Sequence, residues 1–491
     1  MRYQWLVTLG LGLSAACIRS PQTALVRDAA EAIGGPSKIA SVEILILEGN
    51  GEAFNFGQSK SPDGELPKFT VTELRRVIDF PGGRWRQEAM RTPTFVTANP
   101  PARQILGIAG DVAYNVSPTG TVSRASARTA MDRAAELYHH PVGILREALG
   151  TEANLTNARK EGGQDVVDVS TPSGATYSLY IDETTKLPSK VVSKTSNLVL
   201  GDVLMETEFS EYTETDGLKL PSVITSRLDG DTVAVTRVTG TTINGDAGDL
   251  GAPADAASAP ADPPVAIEVA EVAKGIWYLT GQSHHSVLAE FQDHLVLIEV
   301  PSEARTLAVI AKARELVPGK PLTHAVVTHH HFDHSGGIRA AVSEGLTIVA
   351  HAGAAKFVED VVGRQHGIEP DALAKNPKPL IIQTVEGEMV LEDEAMSIAL
   401  YPIDGSPHAD TLLMAHFPKA GFLVEADVYS PPTPNAPPPA SFPFVPNLME
   451  NCHSRNLKIE NLLPIHGRMV PMKALMDVAD PAKTAKTAKT D

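Results

Sequence analysis

Residues 326–337 read VVTHHHFDHSGG, four histidines and an aspartate within twelve positions. Two apolar residues lead into the cluster and Ser335-Gly336-Gly337 follow it, so it lies where a buried strand gives way to a tight turn and a helix. In an extended chain residues two apart point the same way, which puts His329 and His331 on one face and His330 on the other. Asp333 and His334 come next, adding a carboxylate and a third imidazole beside that pair. Imidazole and carboxylate without thiolate suit zinc, and less specifically iron, manganese or cobalt.

Strands and helices alternate around this cluster. IWYLT, SVLAEF and HLVLIEV read as strands, Glu303 to Leu316 as a helix, THAVV as a strand, the segment after Gly337 as a helix and LTIVA as a strand. SIALYPID, TLLMAHF, GFLVEADV, a helix around Leu448 to Asn456 and NLLPIHG complete the half, which is therefore α/β. Three further candidate ligands lie where a strand meets a loop: His408 in PIDGSPHADT, Asp427 in GFLVEADV and His466 in LLPIHGR.

The HxHxDH cluster, followed in order by these three residues, resembles the metallo-β-lactamase superfamily from Val265 to about Met476. The resemblance implies an αββα sandwich with two divalent ions, zinc or else iron or manganese, at one edge. His329, His331 and His408 would hold one ion, Asp333, His334 and His466 the other, and Asp427 would bridge them; His330 would not be a ligand. Two positions depart from the family pattern. Glu299 stands where an aspartate is usual at the end of the preceding strand, and the third motif reads HADT rather than HTxG.

The implied activity is metal-dependent hydrolysis by a hydroxide bridging the ions, because paired divalent ions lower the pKa of water toward about 7. Asp333 would also carry the proton to the leaving group. Family branches with a bridging carboxylate include thioesterases, lactonases, phosphodiesterases and alkylsulfatases. The expected substrate therefore has an ester-like bond, with weak lactam turnover compatible. The alternatives are a non-haem iron enzyme of oxygen or sulfur chemistry, and an envelope lipid-binding protein with a vestigial metal domain.

Candidate substrate contacts are Tyr429, whose phenol would polarise a substrate oxygen unless it is a packed loop residue, and His284 or His285, which begin a strand near the site. The proline-rich run Tyr429 to Asn447 reads either as a pocket wall bearing Phe442 and Phe444 or as a rigid connector.

Residues 243–264, rich in Ala, Pro, Asp and Gly, have neither period and read as a linker. Fourteen of the sixteen histidines follow it; the other two are the adjacent His139 and His140. Before it, residues 21–242 alternate apolar and polar positions between turn signals, predicting an antiparallel sheet with helices at ALVRDAAEAIGG and at Arg128 to Leu149. The order GNGE, YIDETTKLP, EYTETDGLKLP resembles the curved-sheet lipoprotein-carrier domains of bacterial envelopes. That implies an acyl chain on the concave face; the other reading is a scaffold or lid for the second domain.

The chain has 491 residues, ordinary globular composition and a formal net charge of −17, which disfavours nucleic acid and anionic membrane surfaces as partners. Residues 1–20 follow the plan of a secretory signal. Ser14-Ala15-Ala16-Cys17 resembles the lipobox of bacterial lipoproteins, so the mature protein is expected in the periplasm, either anchored through a lipid on Cys17 or free after cleavage at Ala16. Cys452 is the only other cysteine and reads as a buried thiol. Residues 265–478 are assigned to the metal-binding domain and 479–491 to a solvated tail.

Overall fold

The computed structural model describes residues 20–95, 100–432 and 442–479. The expected signal segment with Cys17, the tail from residue 480 and part of the proline-rich run lie outside them. Among the described residues no helix is long and apolar enough to cross a membrane.

The N-terminal half is one thirteen-stranded antiparallel sheet in which the first strand, Ile44–Phe54, pairs with the last, Asp231–Ile243, and the remaining strands follow in meander order on either side. The first strand bends through register shifts around Gly49 and Gly51. At Gly51 a Cβ would lie 1.9 Å from the Val235 carbonyl oxygen, so only glycine fits there.

One face of the sheet is covered by helices. Pro21–Ile33 buries Val26, Ala29, Ala30 and Ile33, at i, i+3, i+4 and i+7, against Leu45, Leu47, Val167 and Leu179. Ser20 caps this helix, Pro21 starts it, and Gly34, at φ +142°, ends it. The helix expected at 128–149 is in fact two, Ala127–Ala135 and Pro141–Ala148. Proline has no N–H to donate and disfavours helical backbone in the residue before it, and His140 is accordingly extended at φ −141°, ψ 141°.

The stretch read as a linker packs against the N-terminal sheet. Leu250 is buried beside Ile46 and Val77, and a short helix, Ala254–Ser258, places Ala256 against Ile105 and Tyr114. Its Ala, Pro and Gly content concealed contacts that depend on two apolar side chains, Leu250 and Ala256, meeting the sheet.

The C-terminal half is a four-layered αββα sandwich with sheets of seven and six strands. Period-two alternation builds its two interfaces. On the strand Leu295–Ile298, Val296 and Ile298 face the second sheet, whereas Leu295 and Leu297 face the helices Glu303–Leu316 and Ile338–Ser343. The second sheet contributes Ile398, Leu400, Ala415 and Val424 to the central layer, and its other face, with Met414, Leu423 and Leu462, is backed by the helices Val445–Ser454 and Met472–Ala479. The strand Leu295–Ile298 runs parallel to Leu322–Val326, and Phe422–Glu425 parallel to Asn461–Pro464. Their C-terminal ends open onto the edge where the candidate ligands lie.

Candidate metal centre

The candidate ligands lie in the connections that leave strand C-terminal ends, His408 in the one after Ser397–Pro402. His329 and His331 follow Leu322–Val326, His334 sits on the one-turn helix Phe332–Ser335, Asp427 follows Phe422–Glu425, and His466 follows Asn461–Pro464. Asp427 is held at φ +62° and Glu299 at φ +81°. Left-handed backbone at non-glycine residues is strained and persists only where the surroundings enforce it.

Four imidazoles converge on the carboxylate of Asp427. Its Oδ2 lies 2.9 Å from Nε2 of His408, 3.0 Å from Nε2 of His334 and 3.4 Å from Nε2 of His329, and its Oδ1 lies 2.8 Å from Nε2 of His466. The nitrogens also crowd one another: His408 Nε2 and His329 Nε2 are 3.3 Å apart, and His466 Nε2 and His334 Nε2 are 3.4 Å apart. The donor atoms fall into two compact groups, His329, His331, His408 and Asp427 in one and His284, His334 and His466 in the other.

The far nitrogens are anchored, which settles which atom faces the centre. His334 Nδ1 is 2.5 Å from Glu299 Oε1, His466 Nδ1 donates to the Ser283 carbonyl at 2.9 Å, and His329 Nδ1 is 3.1 Å from Thr328 Oγ1. Glu299, longer than the expected aspartate, still reaches its histidine. His331 is reversed: Nε2 donates to the Ser59 carbonyl at 2.9 Å and Nδ1 is buried with no partner. A buried imidazole nitrogen without a partner carries a desolvation cost, and a divalent ion at the convergence point would relieve it. The residues therefore fit the metals expected from the sequence.

His330 points away, as the alternation predicted. Its Nδ1 lies 2.7 Å from Thr411 Oγ1 and its Nε2 donates to the Ser59 carbonyl at 2.9 Å. Burial drives His330 down to about 4 and His331 to about 3, so both rings are neutral at neutral pH. His334 is also desolvated, but Glu299 and Asp427 beside it raise it well above the ordinary histidine range. Burial alone would raise Asp427, yet the surrounding imidazoles, His334 foremost, hold it well below the carboxylate range.

Asp333 stands at the rim. Oδ2 is 3.3 Å from His284 Nε2 and 3.8 Å from His334 Nε2, and Oδ1 accepts from Gln58 Nε2 at 2.7 Å. Burial opposes its ionisation, but these partners hold its carboxyl below the usual range. His284 thus reaches the second donor group, whereas His285 turns inward and packs edge-on against Tyr278 at 5.2 Å. Tyr429 lies in the core, 4% exposed, its ring 4.9 Å from that of Phe442. Phe444 sits 5.4 Å from the His408 ring and lines the site.

The contributions of Gln58 and Ser59 had no signal in the sequence. They lie in a polar turn more than 270 residues from the ligands they touch, and only the folded chain brings them together.

Residues 279–455 match the family model described as the metallo-beta-lactamase superfamily, a span that contains every candidate ligand except His466. Similar solved structures include a metallo-beta-lactamase from Pontibacter korlensis (16% identity, 45% of this chain and 99% of that one, TM-score 0.35). Others are a metallo beta lactamase from Hirschia baltica (17%, 44% and 97%, TM-score 0.34) and a metal-soaked Flv1 flavodiiron core from Synechocystis sp. PCC6803 (13%, 46% and 63%, TM-score 0.36). No match was found among curated proteins. Residues 279–455, within the αββα sandwich that carries the ordered histidine and aspartate candidates, are thus identified by that model as a metallo-beta-lactamase superfamily domain.

Proposed function

We propose that the chain is a metal-dependent hydrolase that holds two divalent ions, of the zinc type, and cleaves an ester-like bond: a lactone, thioester, phosphodiester or sulfate ester. The observation that carries this reading is the pair of donor groups meeting at Asp427, with the His331 Nδ1 buried and unpaired. The match of residues 279–455 to the superfamily model supports hydrolysis, and the donor set of nitrogen and carboxylate supports a divalent metal.

His329, His331 and His408 would hold the first ion and Asp333, His334 and His466 the second, with Asp427 between the two. When bound, the ions would supply Lewis acidity and a water of lowered pKa. The chain's own residues do the rest. Glu299, Thr328 and Ser283 fix the far nitrogens of three ligands, so the site is preorganised. Asp333, ionised and with its side chain 46% exposed, is placed to accept the nucleophile's proton on Oδ2 and return it to the leaving group. His284 orients that oxygen, and Phe444 supplies an apolar wall beside His408.

Hydrolysis of a lactam, lactone, thioester, phosphodiester and sulfate ester panel by zinc-loaded protein tests this reading, with metal-stripped protein and Asp427→Ala as controls. Turnover of one class that vanishes in both controls is expected. A blank panel from fully metallated protein that instead carries iron and consumes oxygen would replace it with the oxygenase reading.

An open cavity of about 470 Å³ lies against the N-terminal sheet, lined by Leu47, Val71, Leu74 and Trp85 together with charged residues that include Arg91, Glu52 and Glu136. Arg91 Nε is buried there without a partner. The apolar part of this lining would accept an acyl chain, which lipid extraction and mass spectrometry of the purified protein would detect; protein that carries none and takes up no fatty acid would argue for a scaffold role. Export to the envelope, with or without a lipid on Cys17, is the accompanying proposal, read directly from the mass of the mature N-terminus.

A further inference from the structure

We infer that the N-terminal domain is a working part of the metal centre. The loop from Asn55 to Pro67, which joins the first two strands of the large sheet, supplies two positioning groups, the Gln58 side chain and the Ser59 carbonyl, one for each metal position. This rests on the two-ion reading above and extends it to residues outside the superfamily domain.

The loop is closed at its base by the bond from Asn55 N–H to the Pro67 carbonyl, 2.8 Å, and projects onto the α/β half. It is clamped on both sides of the groups it delivers. Before them, Phe56 packs edge-on against Phe332 at 5.5 Å, and the Gly57 carbonyl accepts from the Phe332 N–H at 3.2 Å. Gly57 is at φ +75°, and a Cβ there would lie 2.4 Å from the Phe332 ring, so this approach requires glycine. After them, the Lys60 carbonyl accepts from the Asp410 N–H at 2.8 Å and Lys60 Nζ pairs with Asp410 Oδ1 at 2.7 Å. Phe332 lies between His331 and Asp333, and Asp410 two residues beyond His408. The loop therefore holds the backbone of two ligand-bearing segments.

Between the clamps each group acts on one ligand. Gln58 Nε2 donates to Asp333 Oδ1 at 2.7 Å, which commits that oxygen and leaves Oδ2 directed toward His284 and His334. The Ser59 carbonyl accepts from His331 Nε2–H at 2.9 Å, which fixes the proton on Nε2 and leaves Nδ1 as the donor atom. Partners of this kind set the tautomer and orientation of a metal ligand and commonly change metal affinity by about 10- to 100-fold when removed.

A second contact between the domains provides the comparison. Asp202 accepts from the N–H groups of Gly367 and Ile368, and Arg364 Nε donates to the Leu200 carbonyl at 2.6 Å. That clasp joins the halves without touching a candidate ligand. If the 55–67 loop were merely another clasp, loosening either contact would have the same consequence.

The experiment is a titration of metal-free full-length protein with zinc against a chelating dye, resolving the affinity of each site, with thermal melts run in parallel. Gln58→Ala is expected to weaken one of the two sites by about 10- to 100-fold and leave the other and the melt unchanged. Gln58→Glu, which has the same shape but no donor, should do the same or worse. Gly57→Leu, which displaces the loop, should weaken both sites, and Asp202→Ala neither. Wild-type affinity at both sites in folded Gln58→Ala and Gln58→Glu would overturn this inference while leaving the two-ion reading intact. Failure of the wild-type protein to bind two ions would remove that reading and this inference with it.

Discussion

Two groups of buried histidines lie in the two halves of the molecule, and their difference is instructive. His139 and His140 are 6% and 3% exposed, and burial drives both down to about 3. His330 and His331 are as deeply buried and shifted alike, to about 4 and about 3. Burial and neutrality are common to both, so neither identifies a metal site.

What differs is where the nitrogens point. The two of His139 diverge to separate hydroxyls, Thr207 Oγ1 at 3.0 Å and Ser193 Oγ at 2.9 Å, with no carboxylate between them. Those around Asp427 converge on a single point. Even an unpaired nitrogen is insufficient, since His140 Nε2 has no partner either. Convergence of several such atoms on a shared carboxylate is the feature that calls for an ion.

The largest effect expected from this contrast is that of Asp427→Ala, which should abolish metal retention and lower turnover by more than about 100-fold, beyond the loss typical of a ligand's supporting partner. His139→Ala should leave turnover within about twofold and lower only the melting temperature. A loss of metal in the second variant, or retention in the first, would erase the distinction between the two groups.

The adjacent pair His330 and His331 sharpens it within one segment. His331→Ala should weaken zinc by more than about 100-fold. His330→Ala should cost about 1–3 kcal/mol of stability, through Thr411 and Ser59 losing a buried partner, with little change in zinc affinity. Equal effects on metal binding from both variants would mean that alternation does not separate ligand from support.

Acid should act on the N-terminal group in a defined window. The unfolded histidine titrates near 6.5 and the folded one near 3. The unfolded chain therefore binds more protons between these values, and stability falls as pH falls. The contribution is complete above about 6.5 and lost on the way to about 3, at up to ~1.4 kcal/mol per pH unit for each residue. Urea melts across this range should show the slope, and His139→Asn should flatten it; an unchanged slope would place the acid sensitivity elsewhere.

The smallest effect concerns Cys452, whose thiol burial pushes up to about 12. The native protein should resist thiol reagents until it unfolds, and Cys452→Ala should not change turnover.

How far the fold was legible followed from how local its causes are. The helix Glu303–Leu316 was found at its observed bounds because Ser302 caps it and no glycine or proline interrupts it before Pro318-Gly319. The separate orientation of His330 was legible because alternation along a strand end sets it apart from its neighbours without knowledge of the fold. The break at Pro141 was written in the sequence and overlooked, since the apolar period continues across it. The packing of Leu250 and Ala256, and the reach of Gln58 and Ser59 into the metal centre, depend on which turn of a thirteen-stranded sheet meets the second domain. No local pattern encodes that pairing.

The measurement that bears most directly on the central claim is the divalent metal content of the full-length protein after reconstitution, in wild type and in Asp427→Ala. The convergence of two donor groups on Asp427 predicts about two ions per chain in the wild type and fewer than one in the variant. Folded wild-type protein that retains no divalent ion, or an Asp427→Ala variant that retains as many as the wild type, would contradict it.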